Sequence, residues 1–242
     1  MASSRRIKEE VLAILAEGDG VDEKLLAYHE EGLVHALFSA LCRADESLRM
    51  RAALAFGRVV ARLAAQNLEA ARVVMRRLLW SLNDESGGIG WGAPEAMAAT
   101  MANSQALADE YLHMLLSYLK EDGDKPYQDG NFLELPALQR GLLWGIGHIG
   151  REAPLCRARL LAMGVAGELE KYLSSPDKVV VGLALWSFAQ LGVAAPAAAL
   201  AALMNEQTVV PLVPQFGDGE PCSVTVGELA RLVATIPKFF PI

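Results

Sequence analysis

Apolar residues recur at helical spacing almost from end to end of this chain of 242 residues. Leu33, Leu37 and Leu41 share one face, as do Leu54, Val59 and Leu63, while the alternation of a half-buried strand is nearly absent before residue 205. The pattern predicts an all-helical body. Clusters of Gly, Asp, Ser and Pro interrupt it every 10 to 20 residues: EGDG at 17–20, RADES at 43–47, LNDESGG at 82–88, KEDGDKPYQDGN at 120–131 and SSPD at 174–177. Helices between such breaks have the length expected of antiparallel hairpins. The tail differs, because residues 208–213 and 222–226 are short β-prone runs separated by GDGEP. They predict a β-hairpin followed by a helix after Thr225, with Pro211 and Pro214 confining the first strand to an edge.

The pattern also repeats. LLWGIGHIGREAP at 142–154 overlays ALWSFAQLGVAAP at 184–196, pairing Leu143 with Leu185, Trp144 with Trp186, Gly150 with Gly192, Ala153 with Ala195 and Pro154 with Pro196, always 42 residues apart. Looser copies begin at Asp45 in DESLRMRAALAFGRVV and at Asp84 in DESGGIGWGAPEAMAATM. An acid at the start of each copy is placed to cap a helix N-terminus, and the Ala and Gly positions that follow let neighbouring helices approach closely. A single such hairpin cannot bury its own apolar face and must stack on the next.

RADESLRMRAALAFG and SSPDKVVVGLALWSFAQLG resemble HEAT-type helical repeats of the bacterial, short-repeat kind, over roughly residues 30–205. The resemblance implies a right-handed α-α superhelix, with residues 1–205 as the HEAT-like repeat domain. Residues 206–242 then form a β-hairpin and capping helix packed on the solenoid, closing its last apolar face. RRLLWSLNDESGGIGWGAPEAM is similar to a group of bacterial HEAT-repeat proteins for which no reaction is established, so the resemblance carries over no catalytic residue.

Composition excludes a disordered chain, with 52% hydrophobic against 21% charged residues. A net charge of −7 argues against broad binding to nucleic acid or anionic membranes. Cys42, Cys156 and Cys222 form no C-x-x-C pair, which suits a reducing, cytoplasmic setting and three small buried hydrophobes. At the N-terminus, Lys8, Glu9, Glu10 and Glu17 break up what a signal peptide would need as an unbroken apolar core, leaving an amphipathic helix. Residues 179–204 carry no charge. Gly182, Ser187, Gln190, Gly192 and Pro196 within them favour two short buried helices, the second starting at Pro196, over a membrane span.

The charge is unevenly distributed: residues 81–134 hold 2 basic and 10 acidic groups, whereas residues 1–80 hold 12 and 11. Arg51, Arg58 and Arg62 share a helical face, as do Arg72 and Arg76, and a row of guanidinium forks suits carboxylates or phosphates. These five are the candidates for binding an anion; a solvated surface, or pairing with the acidic middle segment, is the competing reading. The acidic connection at 120–131 is a candidate internal mimic of such a partner.

LNDESGGIGWGAPEAM spends Gly87, Gly88, Gly90 and Gly92 on a backbone that an ordinary turn does not require. Asp84 and Glu85 can act there as paired carboxylates, with Trp80 and Trp91 as pocket walls. Alternatively it is a strained turn capped by Asp84 or Ser86, with Pro94 in the next helix and the tryptophans in the core. GGIGWG lacks the Gly-Lys-Ser/Thr of a phosphate loop. No local motif assembles a metal centre from His29, His35, His113 or His148. The His29-Glu30 pair is similar to the ligand pairs of HEAT-repeat iron hydroxylases, but those need several pairs.

The sequence therefore predicts a noncatalytic protein-interaction module with no cofactor and no metal, binding a protein partner on the concave face of a short solenoid. Asp84, Glu85, Trp91, Glu95, Arg140, Trp144 and His148 are its candidate groove residues; the competing readings put both indoles in the core and make His148 a hydrogen-bonded structural residue. Two alternatives use the same scaffold. Alkyl-base DNA glycosylases are of similar size and repetition but require a basic groove, which makes nucleic acid the less favoured partner. Bilin-attaching lyases share the short repeat alone.

Overall fold

The breaks in the sequence are helix ends in the computed structural model, which describes residues 4–83, 89–123, 130–212 and 222–237. The described residues are almost wholly helical and divide, between Tyr111 and Leu112, into two compact units.

The first unit holds α1 (Ser4–Glu17), α2 (Val21–Leu25), α3 (Glu30–Leu41), α4 (Glu46–Gln66), α5 (Leu68–Leu82), α6 (Ala93–Asn103) and the first half of α7 (Gln105–Ser117). The long helix α4 is its centre, packed by α3, α5 and α6. Asp45 starts α4 by accepting a hydrogen bond from the Leu48 N–H at 2.8 Å, the capping role predicted for the first residue of the repeat. Asn67 ends α4 and caps α5, accepting from the Ala70 N–H at 3.1 Å. Small residues fill one face of α4, and Gly57 meets the Ala99 backbone of α6 with no room for a side chain. Phe38 of α3 closes the other side edge-on against Phe56, the ring centroids 5.0 Å apart. Before α6 the chain turns at Gly92, whose φ of 71° favours glycine, and Pro94 occupies the first turn as expected.

The second unit continues with α8 (Pro136–Glu152), α9 (Pro154–Ala162), α10 (Val165–Tyr172), α11 (Lys178–Leu191), α12 (Ala197–Leu203), β1 (Val209–Leu212), β2 (Cys222–Thr225) and α13 (Val226–Ala234). The helices α8 and α11, which carry the two clear copies of the repeat, pack directly on each other. Trp144 and Trp186 lie parallel across that contact with centroids 6.4 Å apart, and Ser187 Oγ donates to the Leu143 carbonyl at 2.6 Å. Asp177 caps α11 through the N–H groups of Val179 and Val180 at 2.9 and 3.2 Å.

The uncharged stretch at 179–204 is broken by Gly192 and resumes after Pro196 as a second short helix, as predicted, but that helix buries only Leu200 and Leu203 and exposes most of its alanines, whereas α11 is largely buried as expected. No helix among the described residues is long and apolar enough to cross a membrane. β1 and β2 pair antiparallel, Val209 opposite Thr225 and Leu212 opposite Cys222. Thr225 and Glu228 then form a reciprocal capping box that starts α13, which packs on α11 and α12. Cysteine usage departs from expectation at Cys42, which is exposed just past the end of α3, where the chain leaves the helix after the buried Leu41; Cys156 is buried.

Candidate functional site

The α1–α2 connection carries the short helix α2 beside α4, and between them the first unit leaves a recess of about 460 Å³. Its walls are mostly aliphatic: Leu25 and Leu26 from α2, and Ala55, Val59, Ala61 and Ala65 from α4. The polar lining is Asp22 of α2, Arg58 and Arg62 of α4, and Asn103 at the end of α6. The spacing of four that suggested a shared arginine face puts both guanidinium groups beside this recess.

Each of these arginines has one carboxylate near its Nε. Arg58 Nε lies 2.6 Å from Asp22 Oδ1, and Arg62 Nε lies 3.8 Å from Glu30 Oε1. Neither Nε is in line for a hydrogen bond, so both contacts are charge pairing without a directed bond. The arginine side chains remain about a third exposed, at 33% and 31%. Exposed pairs of this kind contribute at most about 1 kcal/mol, too little to withhold a guanidinium from a better-directed carboxylate. Arg51, two turns earlier, lies against Gly18, and its Nε also lacks an acceptor.

The other two anion candidates sit differently. Arg72 of α5 forms a fork on Glu110 of α7, with Nε to Oε2 at 2.8 Å and Nη2 to Oε1 at 2.5 Å. Arg76 donates to Glu69 at 2.8 Å. The Arg72 guanidinium holds the Glu110 carboxyl below its usual range, and Arg76 with Arg72 does the same to Glu69. Among the described residues, these arginines pair with the acidic middle segment at Arg72, whereas the carboxylates at Arg58, Arg62 and Arg76 come from the first 80 residues.

The predicted groove residues separate into distinct environments. Asp84 and Glu85 lie outside the described residues, as does Ser86, and so do residues 124–129 of the acidic connection. Trp91 is 37% exposed at the entry to α6, with the Arg49 guanidinium 5.9 Å over its ring, and Trp80 is 74% exposed on α5, so neither tryptophan is in the core. Glu95, one turn into α6, is buried, and burial pushes its carboxyl up to about 7 despite its own backbone N–H and Arg49, which pull it down. In the second unit, Arg140 of α8 donates to Asp177 at 2.5 Å. Trp144 and His148 are buried on α8 with their rings stacked 4.8 Å apart, and Trp144 lies against Trp186 of α11. Among the described residues no cluster of three or more His, Cys, Asp or Glu side chains is arranged to hold a metal ion.

The sequence singled out Arg58 and Arg62 but missed Asp22, Leu25, Leu26 and Asn103. No local spacing connects α2 or the end of α6 to α4.

Comparison with known families and with curated proteins returns no match. Solved structures do match. A designed armadillo repeat protein in complex with the peptide (KR)4 aligns over 94% of this chain and 90% of its own, at 17% identity and a TM-score of 0.53. Computationally designed armadillo repeat proteins for modular peptide recognition align over 96% and 90%, at 16% identity and a TM-score of 0.52. A HEAT-like repeats protein from the archaeon Thermococcus onnurineus aligns over 98% of both chains at 12% identity, but its TM-score of 0.36 is too low to bear on the fold. The chain has an armadillo-like helical-repeat fold.

Proposed function

We propose that this chain is a noncatalytic interaction module whose helical repeats hold a segment of another protein. The observation that carries the reading is the recess beside α4, where aliphatic walls are bordered by two arginines whose Nε groups have a nearby carboxylate but no directed hydrogen bond. An apolar hollow with a few convergent polar groups is the usual form of a binding site, and arginine is a favoured anchor at interfaces. The peptide-recognising purpose of the designed neighbours supports a peptide as cargo, although (KR)4 is basic and the arginines here select acidic groups. Nucleic acid is disfavoured by the net charge of −7 and by the directed hydrogen bonds that already tie Arg72 to Glu110 and Arg76 to Glu69. Cys42 and Cys156, neither of them in a disulfide among the described residues, support a reducing, cytoplasmic setting.

The test is an array of synthetic peptides, some attached through the N-terminus with a free C-terminus and others presented as internal segments, probed with wild type and with a folded Arg58→Ala, Arg62→Ala variant. Retention of a peptide subset by wild type, weakened in the variant, is expected. Retention of no peptide, or equal retention by both proteins, overturns the reading.

A further inference from the structure

We propose that the recess between α2 and α4 receives the C-terminal residue of a partner protein, an aliphatic or aromatic side chain entering the hollow and its terminal carboxylate lying against Arg58 and Arg62. This deepens the peptide-binding reading and rests on it.

Size is the first argument. At about 460 Å³ the recess lies in the range of sites that take one small ligand, with room for a single large side chain and the carboxylate on the same Cα. The second argument is the mixture of linings. Val59 lies between Arg58 and Arg62 on α4, with Ala55 and Ala65 a turn or less to either side, so the charge requirement and the apolar requirement fall within one side chain's reach. In an extended peptide, neighbouring side chains point to opposite faces, so an acidic residue next to an apolar one cannot satisfy both. A C-terminal residue can, because its carboxylate and its side chain share one Cα.

Charge supplies the third argument. Asp22 and Glu30 keep the two arginines near the recess without forming directed hydrogen bonds to Nε, and the guanidinium forks offer the planar donor pairs that a carboxylate accepts. Asp22 sits at the rim and repels a second negative charge, which selects a single carboxylate on an apolar body over an acidic tract. Capture of chain-terminal carboxylates is a recurrent mode of peptide recognition.

The experiment is fluorescence anisotropy with the full chain and fluorescein-labelled Gly-Ser-Gly-Ser-Gly-Leu, as the free acid and as the C-terminal amide. The free acid is expected to bind, the amide at least tenfold more weakly. Arg62→Ala and Arg58→Ala should each weaken the free acid severalfold and narrow its advantage over the amide, while Arg62→Lys restores part of it. Ala61→Phe, which fills the recess while keeping both charges, should abolish binding, with circular dichroism confirming that each variant is folded. Equal binding of acid and amide overturns the proposal, as does a folded Ala61→Phe protein that binds normally. A third contrary result is 4-methylpentanoate, the same side chain and carboxylate without a peptide, competing as tightly as the peptide itself. If internal segments on the array are retained while the free acid shows no advantage, the C-terminal proposal falls and the peptide-binding reading stands; if nothing binds, both fall.

Discussion

Gly57 and Ala99 stand 42 residues apart in the chain and touch across α4 and α6: a Cβ on Gly57 would lie 2.5 Å from the Ala99 carbonyl carbon. That separation equals the offset found between the copies in α8 and α11, so the period in the sequence is also the step from one packed helix to the next. Gly57→Ala gains up to about 1 kcal/mol of helix propensity, but the overpacked contact costs about 1–3 kcal/mol. Urea denaturation should show a net loss of stability. A gain would mean that α6 yields freely and that the close approach is not required.

Asp177 serves two partners, capping α11 and accepting from Arg140. Burial pushes its carboxyl up, but Arg140 and the Val180 and Val179 N–H groups outweigh that and hold it below its ordinary value. A depressed carboxyl contributes stability that is present above the unfolded-state value near 4 and disappears as pH falls through the lower folded value. Asp177→Ala should cost about 1–2 kcal/mol at pH 7, and Asp177→Asn less, because asparagine also caps. Denaturation between pH 6 and pH 2.5 should show that the wild-type advantage over Asp177→Asn shrinks below pH 4.

Glu95 behaves in the opposite sense. Its folded value of about 7 lies above the 4.5 of an ordinary glutamate, so its contribution is fully present below pH 4.5 and is lost as pH rises through 7. A gap of that size corresponds to about 3 kcal/mol as an upper figure. Glu95→Gln should match wild type near pH 5 and exceed it in stability at pH 8, with a flatter profile between. Parallel profiles for the two proteins would show that this carboxyl titrates normally.

Trp144 is 3% exposed and stacked between His148 and Trp186, so its truncation opens a cavity between α8 and α11. Trp144→Ala should lower stability by about 3–5 kcal/mol, read as a fall in the denaturation midpoint. A loss below 1 kcal/mol would show that the indole is not packed between the helices.

Much of the architecture is legible in the sequence because it depends on local chemistry. Asp45 and Asp177 announce helix starts, Pro196 and Gly192 divide an uncharged stretch, and Thr225 with Glu228 spells a capping box. The burial of Trp144 and His148 has a legible cause too: GLLWGIGHIG has no polar face, and a helix apolar all round is buried all round. The recess was only half visible. Arg58 and Arg62 are four apart on one helix, but their carboxylates Asp22 and Glu30 lie 36 and 32 residues away, and Glu110 lies 38 from Arg72. Contacts at such separations follow from how helices stack, which helical periodicity does not encode.

The most direct test of the central claim is a titration of the ¹⁵N-labelled protein with a peptide retained on the array, followed by two-dimensional amide spectra. Shifts are expected to cluster at residues 22–26, at 55–65 of α4 and at Asn103, and to vanish in the Arg58→Ala, Arg62→Ala variant. Shifts confined to other helices, or unchanged in that variant, would contradict the claim.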